Sequence, residues 1–172
     1  FTGNVMKIRF TLNERPMEVE ADADRSALTL LRDDLRLTGT KVGCDTLDCG
    51  VCAVLYDDRL VKACSLTAAE LDGHRVVTIE GIHGAAGGLS DLQEAFLDHG
   101  AVQCGYCIPA MILAGEALLR RNPTPSRDDI RRGIAIVLCR CTGYQQIVDA
   151  IADTARRRQA AVRAAGELES AQ

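Results

Sequence analysis

The sequence predicts an α+β protein in two parts, a strand-rich first half and a second half of four helices. Three observations predict it. Residues 5–20 alternate loosely between apolar and polar side chains, the period of a strand. Residues 90–158 carry apolar positions at helical spacing, broken at short intervals. The eight cysteines divide into two groups of four, one in each part: Cys44, Cys49, Cys52 and Cys64, then Cys104, Cys107, Cys139 and Cys141.

Residues 5–12 read as a first strand, Asn13-Glu14-Arg15-Pro16 as a turn, and Met17 to Glu20 as the returning strand of a hairpin. Asp24 or Ser26 is placed to cap a helix running to about Leu35, with Leu28, Leu31 and Leu35 as its apolar stripe. Periodicity then disappears between Gly39 and Cys52, which reads as a loop. Residues 51–56 resume as a strand, Asp57-Asp58-Arg59 turns, and residues 60–63 pair back toward Cys64. Ser65 to Leu71 reads as irregular, and residues 76–79 as a closing strand. Glu80 to Gly88 holds four glycines and reads as a passage between domains. Its Gly84 to Gly88 part lacks the Lys and the spacing of a phosphate loop.

Four helices follow, at Ser90–His99, Ile108–Arg121, Arg127–Leu138 and Gln145–Arg158. Pro109 suits a first helical turn. Asn122-Pro123-Thr124-Pro125 separates the second helix from the third. Ser126 with Asp129 forms a capping box, and Ile130, Ile134, Val137 and Leu138 mark the apolar side of the third helix. Ile147, Ile151 and Ala155 mark the fourth. Arg156-Arg157-Arg158 is placed near a helix end, facing solvent and the C-terminal dipole.

Hydrophobic residues make up 47% of the 172 residues but aromatics only 3%, with no Trp, so the packing rests on Leu, Ile, Val and Ala. Two cores this small are thin, and bound metal centres would reinforce them. A formal net charge of -4 without a Lys/Arg patch argues against nucleic-acid binding. No apolar run is long enough to span a membrane, and no basic-then-apolar segment opens the chain. The expectation is a soluble, cytoplasmic protein.

The first cysteine group has the spacing C-x4-C-x2-C-x11-C, which matches the plant-type [2Fe-2S] pattern of three thiolates in one loop and a fourth from a neighbouring element. Gly43 and Gly50, beside ligands, let the backbone curl and point N–H groups at sulfur. Asp45 and Asp48 are expected to face solvent, and Lys41 to offset charge or dock a partner. In the second group C-x2-C precedes the second helix and C-x-C the fourth, at two helix starts that favour an anionic centre. Gly105 and Gly143 permit tight backbone paths there, and Arg140 stands between two ligands. Spacing alone leaves open a structural or assembly protein with two zinc sites and a free-standing ferredoxin-like carrier, with a disulfide scaffold as a lesser alternative. His74, His83 and His99 read as surface or capping residues. No triad, paired-carboxylate site or Walker loop is present, so the cysteines read as ligands and the chain as one part of a larger enzyme.

Three stretches carry a family resemblance. They are Gly39-Thr40-Lys41-Val42-Gly43-Cys44-Asp45-Thr46 with Cys49-Gly50-Val51-Cys52, then Gln103-Cys104-Gly105-Tyr106-Cys107-Ile108-Pro109, and Cys139-Arg140-Cys141-Thr142-Gly143-Tyr144. Over residues 5–160 the chain resembles the small iron–sulfur subunit of the molybdenum hydroxylases related to xanthine dehydrogenase, aldehyde oxidoreductase and carbon monoxide dehydrogenase. The resemblance implies a plant-type ferredoxin-like (β-grasp) domain over 1–80, a four-helix-bundle [2Fe-2S] domain over 81–160 and a tail over 161–172. It implies two [2Fe-2S] clusters on the eight cysteines. Electrons would pass from molybdopterin in a large subunit, through the helical-domain cluster and then the ferredoxin-like one, to FAD in a medium subunit, within a dimer of heterotrimers. Gln103 and Cys141 match the positions that approach the pterin, and Gly43 and Gly50 those that wrap the first cluster. Leu47, Val51, Ala53, Tyr106 and Ala110 depart from the common residues, Tyr106 standing for a frequent Phe. None removes a ligand.

Overall fold

The first two strands, β1 (Val5–Leu12) and β2 (Arg15–Asp22), pair antiparallel from Val5 opposite Asp22 to Leu12 opposite Arg15. Ile8, Phe10 and Leu12 of β1 share one face and are buried. The turn is shorter than the sequence suggests. Asn13 and Glu14 alone make it, both at positive φ, the backbone that matches the twist of a two-residue hairpin. Pro16 therefore lies in β2, an edge strand where its missing N–H removes no inner ladder bond.

The computed structural model describes residues 4–85 and 87–170. Its sheet is completed by β3 (Ala53–Tyr56), β4 (Arg59–Lys62) and β5 (Arg75–Val77), in the order β2-β1-β5-β3-β4. β5 runs parallel to β1 and antiparallel to β3, and β3 pairs antiparallel with β4. Asp57 and Asp58, both at positive φ, form the β3–β4 turn. Gly50 turns the chain ahead of β3, with its carbonyl accepting from the Ala53 N–H, so the strand starts at Ala53 and not at Val51. β5 ends at Val77 because residues 79–81 wind into a 3-10 turn. The expected passage 80–88 follows, and Ala86 within it lies outside the described residues.

The helix expected up to Leu35 takes another form. α1 (Ala27–Thr29) passes directly into a π-helical turn over Leu30–Asp34. Ser26 makes no capping bond with its side chain and forms an isolated bridge with Thr67. Leu28 and Leu31 are buried as expected, while Leu35 is half-buried.

Four helices occupy the second half: α2 (Asp91–Asp98), α3 (Ile108–Arg121), α4 (Arg127–Ile134) and α5 (Gln145–Ser170). α2 opens on a capping box of Ser90 and Gln93, and α4 on that of Ser126 and Asp129. α4 ends at Ile134 and not at Leu138. Beyond it Val137 is buried but Leu138 is 56% exposed, because the chain leaves the helix axis to meet the first cysteine loop. α5 continues past Arg158 to Ser170. The three arginines are thus mid-helix, and each is paired: Arg156 with Asp153, Arg157 with Asp98 and Asp153, Arg158 with Asp91 and Glu116.

The two halves meet across β3. Cys52 and Val54 point into a core with Ile8, Phe10, Leu28, Leu31 and Val76. Val51 and Ala53 point the other way, into a core shared with α2 to α5. Leu55 joins Leu113 of α3 and Val77. A strand covered on both faces needs apolar side chains at every position, and residues 51–55 are all buried. The fold is a mixed α+β one.

Candidate metal centres

The first cysteine loop leaves the π-helical turn through Thr38–Thr40, where the Arg32 guanidinium donates to the carbonyls of Thr38 and Thr40. From Val42 to Asp48 every residue but Cys44 is exposed, and Cys44 is half-buried. The loop curls around one sulfur. Backbone N–H groups of Cys49, Thr46 and Asp48 are directed at the Cys44 thiol and bring it down to about 6. The Cys49 N–H lies 3.5 Å from that sulfur. Cys52 ends the loop, buried, and Cys64 comes from the 3-10 turn after β4, with 3.3 Å between their sulfurs. Burial and then the contact with Cys52 push the Cys64 thiol up to about 12. The four thiols form two touching pairs, Cys44 with Cys49 and Cys52 with Cys64.

Gly43 and Gly50 serve different ends. A Cβ on Gly43 would stand 2.7 Å from Val51 Cγ2 and 3.1 Å from Cys49 Sγ, so this glycine clears space beside a sulfur. A Cβ on Gly50 would stand 2.0 Å from the Ile136 carbonyl oxygen, and its φ is +68°. Gly50 is a glycine because the backbone after α4 rests on it. Lys62 is a site residue that the sequence pattern does not reveal. Its ammonium donates to the carbonyls of Leu47 and Asp48 and holds the outer loop. An isolated Lys ending a strand carries no local signal of this. Lys41 turns back to the Thr38 carbonyl. Asp45 and Asp48 are exposed, as expected.

The second set gathers at the starts of α3 and α5. Cys107 directly precedes α3, and Gly105, at positive φ, shapes the turn between Cys104 and Cys107. Gly143 and Tyr144, both at positive φ, turn the chain from Cys141 into α5. Thr142 and Tyr144 lock Cys139. The Thr142 hydroxyl lies 3.1 Å and its N–H 3.5 Å from the Cys139 sulfur, while the Tyr144 hydroxyl accepts from the Cys139 N–H at 2.8 Å. Burial pushes the Cys139 thiol up, but the Thr142 hydroxyl and N–H more than offset it and leave it below its ordinary value. Burial and contact with Cys139 push the Cys107 thiol up to about 12. The Cys141 thiol is raised, mainly by its contact with Cys104. This set is again two pairs: an inner one, Cys107 with Cys139, and an exposed outer one, Cys104 with Cys141. Gln103 and Arg140 are exposed on the outer side.

The two sets are joined directly. The Leu138 N–H, next to Cys139, donates 2.8 Å to the Cys49 carbonyl. The Tyr106 hydroxyl, between Cys104 and Cys107, donates to the Val42 carbonyl. The histidines are engaged elsewhere: His74 with Asp57 and stacked on Tyr56, His83 with the Gly84 carbonyl, His99 with Asp153.

The donor chemistry fits a two-iron cluster at each set. Every cysteine is a free thiol. Two pairs facing one another suit two irons, one pair to each, and N–H groups aimed at sulfur stabilise thiolates.

Comparison with known proteins agrees with this division. Residues 10–77 match the 2Fe-2S iron-sulfur cluster binding domain and residues 78–152 the [2Fe-2S] binding domain. The chain is 40% identical over 148 residues to the nicotine 6-hydroxylase small subunit of Paenarthrobacter nicotinovorans, covering 86% of this chain and 88% of that one. It is 39% identical over 153 residues to the xanthine dehydrogenase iron-sulfur-binding subunit of Escherichia coli O157:H7, with 88% and 95% covered. The structure of quinoline 2-oxidoreductase from Pseudomonas putida 86 superposes with a TM-score of 0.83 at 37% identity, covering 90% of this chain and 98% of that one. Fold and thiol sets together define an electron-transfer protein with two [2Fe-2S] domains. The chain belongs to the small [2Fe-2S] subunits of the molybdenum hydroxylase family, and is a component of an oxidoreductase of that kind. No helix among the described residues is long and apolar enough to cross a membrane.

Proposed function

We propose that Cys44, Cys49, Cys52 and Cys64 hold one [2Fe-2S] cluster and Cys104, Cys107, Cys139 and Cys141 the other. The chain then forms the relay between molybdopterin in a large subunit and FAD in a medium one. When bound, the clusters supply one-electron redox chemistry; the chain's residues set where it happens. One observation carries the reading: each set is two pairs of thiols, and a hydrogen bond from Leu138 to Cys49 runs between them. The exposed pair Cys104 and Cys141, with Gln103 beside it, marks the face toward the pterin, and Cys44, in the exposed first loop, the face toward the flavin. The sheet half corresponds to a ferredoxin-like β-grasp domain (1–80) with Gly43 and Gly50 at its cluster, and the helical half (81–160) to a four-helix bundle followed by a tail (161–172). Assembly as a dimer of heterotrimers in the cytoplasm completes the reading.

The test is metal analysis with electron paramagnetic resonance. About four irons and four acid-labile sulfides per chain, with two distinct reduced signals, are the expected result for two binuclear clusters. Zinc without visible absorption overturns it. Cys141→Ser is expected to alter the helical-half signal and leave the other unchanged. Loss of both signals with the fold intact would sink the assignment of separate sites.

A further inference from the structure

Tyr106 belongs to the second thiol set by its main chain and to the first by its side chain. It stands between Cys104 and Cys107, and its hydroxyl donates at 2.5 Å to the carbonyl of Val42, just ahead of Gly43 and Cys44. Tyr106 is 47% exposed, so core burial does not explain its position.

The first loop has little of its own to hold it, since nearly every residue from Val42 to Asp48 is exposed. Its far end is clamped by the Leu138–Cys49 bond and by Ile136 resting on Gly50. Lys62 holds its outer carbonyls. At the near end the backbone bond from Lys41 to the Val51 carbonyl is long, at 3.4 Å, and the Tyr106 hydroxyl supplies a short one. Each cysteine segment of the second set therefore grips one end of the first loop. The grip at Cys49 uses backbone that almost any residue supplies. The grip at Val42 depends on one side-chain oxygen.

We propose that Tyr106 is a positioning residue: its hydroxyl pins the Cys44 end of the first loop to the second thiol set and so fixes the spacing between the two sets. Opening of the loop at Val42 lifts Cys44 away from its backbone N–H donors, and the Tyr106 hydroxyl opposes that opening. The proposal deepens the reading that both sets hold [2Fe-2S] clusters and rests on it.

The experiment compares the assembled enzyme with its Tyr106→Phe variant, which keeps the ring and removes the oxygen. Iron and labile sulfide are measured first. Fewer than about four irons per wild-type chain overturns the cluster reading itself. Each cluster's loss to bathophenanthroline disulfonate is then followed through its own paramagnetic signal, together with the spin–spin broadening between the two reduced clusters. A hydrogen bond of ordinary net strength predicts that the first cluster is lost about two- to tenfold faster in Tyr106→Phe. The second cluster's loss rate is expected to stay unchanged and the spin–spin broadening to become less uniform. Equal first-cluster loss in both proteins overturns the proposal. So does equal acceleration of both clusters, which reports general destabilisation.

Discussion

Gly50→Ala is expected to be among the most damaging single-methyl additions in this chain, costing about 3 kcal/mol or more and lowering the melting temperature by about 10 °C. Two penalties combine. The residue sits at φ +68°, where a side chain strains the backbone. The new Cβ would also meet the Ile136 carbonyl oxygen at 2.0 Å, its carbon at 2.8 Å and Val137 Cα at 3.1 Å. All three are main-chain atoms, so no side chain can swing away. Relief requires the segment after α4 to withdraw, which breaks the Leu138–Cys49 bond and pulls the thiol sets apart. Gly143→Ala is the internal control. Its φ is +63° but nothing lies within 4 Å of the added Cβ, so only the backbone strain of about 1 kcal/mol remains. Thermal unfolding of the two variants separates the contributions. A Gly50→Ala protein no less stable than Gly143→Ala would show that the two backbones part without cost.

Replacing Arg158 by Met is expected to cost about 2–3 kcal/mol, less than a fully buried pair would because Arg158 and Asp91 are partly exposed. Arg158 of α5 reaches Asp91 in the first turn of α2 and Glu116 of α3, with short bonds to both. Glu116 is only 6% exposed, and without the guanidinium it is a buried carboxylate that has lost the arginine hydrogen-bonded to it. Adding Glu116→Gln to Arg158→Met should recover part of the loss, read as a rise in urea midpoint over the single variant. If the double variant unfolds at a lower midpoint than the single one, the uncompensated charge is not the cause. The pH dependence has a definite sign. Hydrogen bonds from Arg158 hold the Asp91 carboxyl below the usual range against burial. Its stabilisation is therefore complete above the unfolded value of about 4 and is lost as pH falls through the folded value. Asp129, held at about 2 by Ser126 and Arg132, behaves likewise. Arg158→Met should flatten the acid limb of stability, while the Asp129 contribution persists.

What could be read from the sequence followed from the range of the interactions. The Ser126–Asp129 cap spans three residues, and the limits of α3 follow from Pro109 at its start and Pro123 beyond its end, so local rules suffice. The thiol sets were legible because ligands held by one loop or one helix start must recur at short intervals. Features that depend on distant partners were not. Gly50 reads as a glycine that wraps the first thiol set, and only the fold shows Ile136 resting on it; Tyr106 reads as a replacement for a frequent Phe, and only the fold brings Val42, 64 positions away, within reach of its hydroxyl. Leu138 continues the helical apolar stripe in sequence, yet its N–H is claimed by Cys49 and its side chain turns to solvent. The arginine triplet looked like a helix end because nothing nearby announces Asp91 or Glu116 as its partners. The π-helical turn at Leu30–Asp34 follows the same apolar spacing as an α-helix and has no distinct sequence signal.

The strand β3 has a consequence for how the molecule comes apart. With Cys52 and Val54 in one core and Val51 and Ala53 in the other, neither half can melt without exposing a wall of its neighbour. The halves are therefore expected to unfold as one cooperative unit, in a single thermal transition, even though two separate domain families describe them. Local opening is left to the exposed loop between Val42 and Asp48. The contact between the sets at Cys49 is in this way guarded by the global stability of the fold, while the Cys44 end, where Tyr106 holds Val42, is governed by a much smaller, local equilibrium.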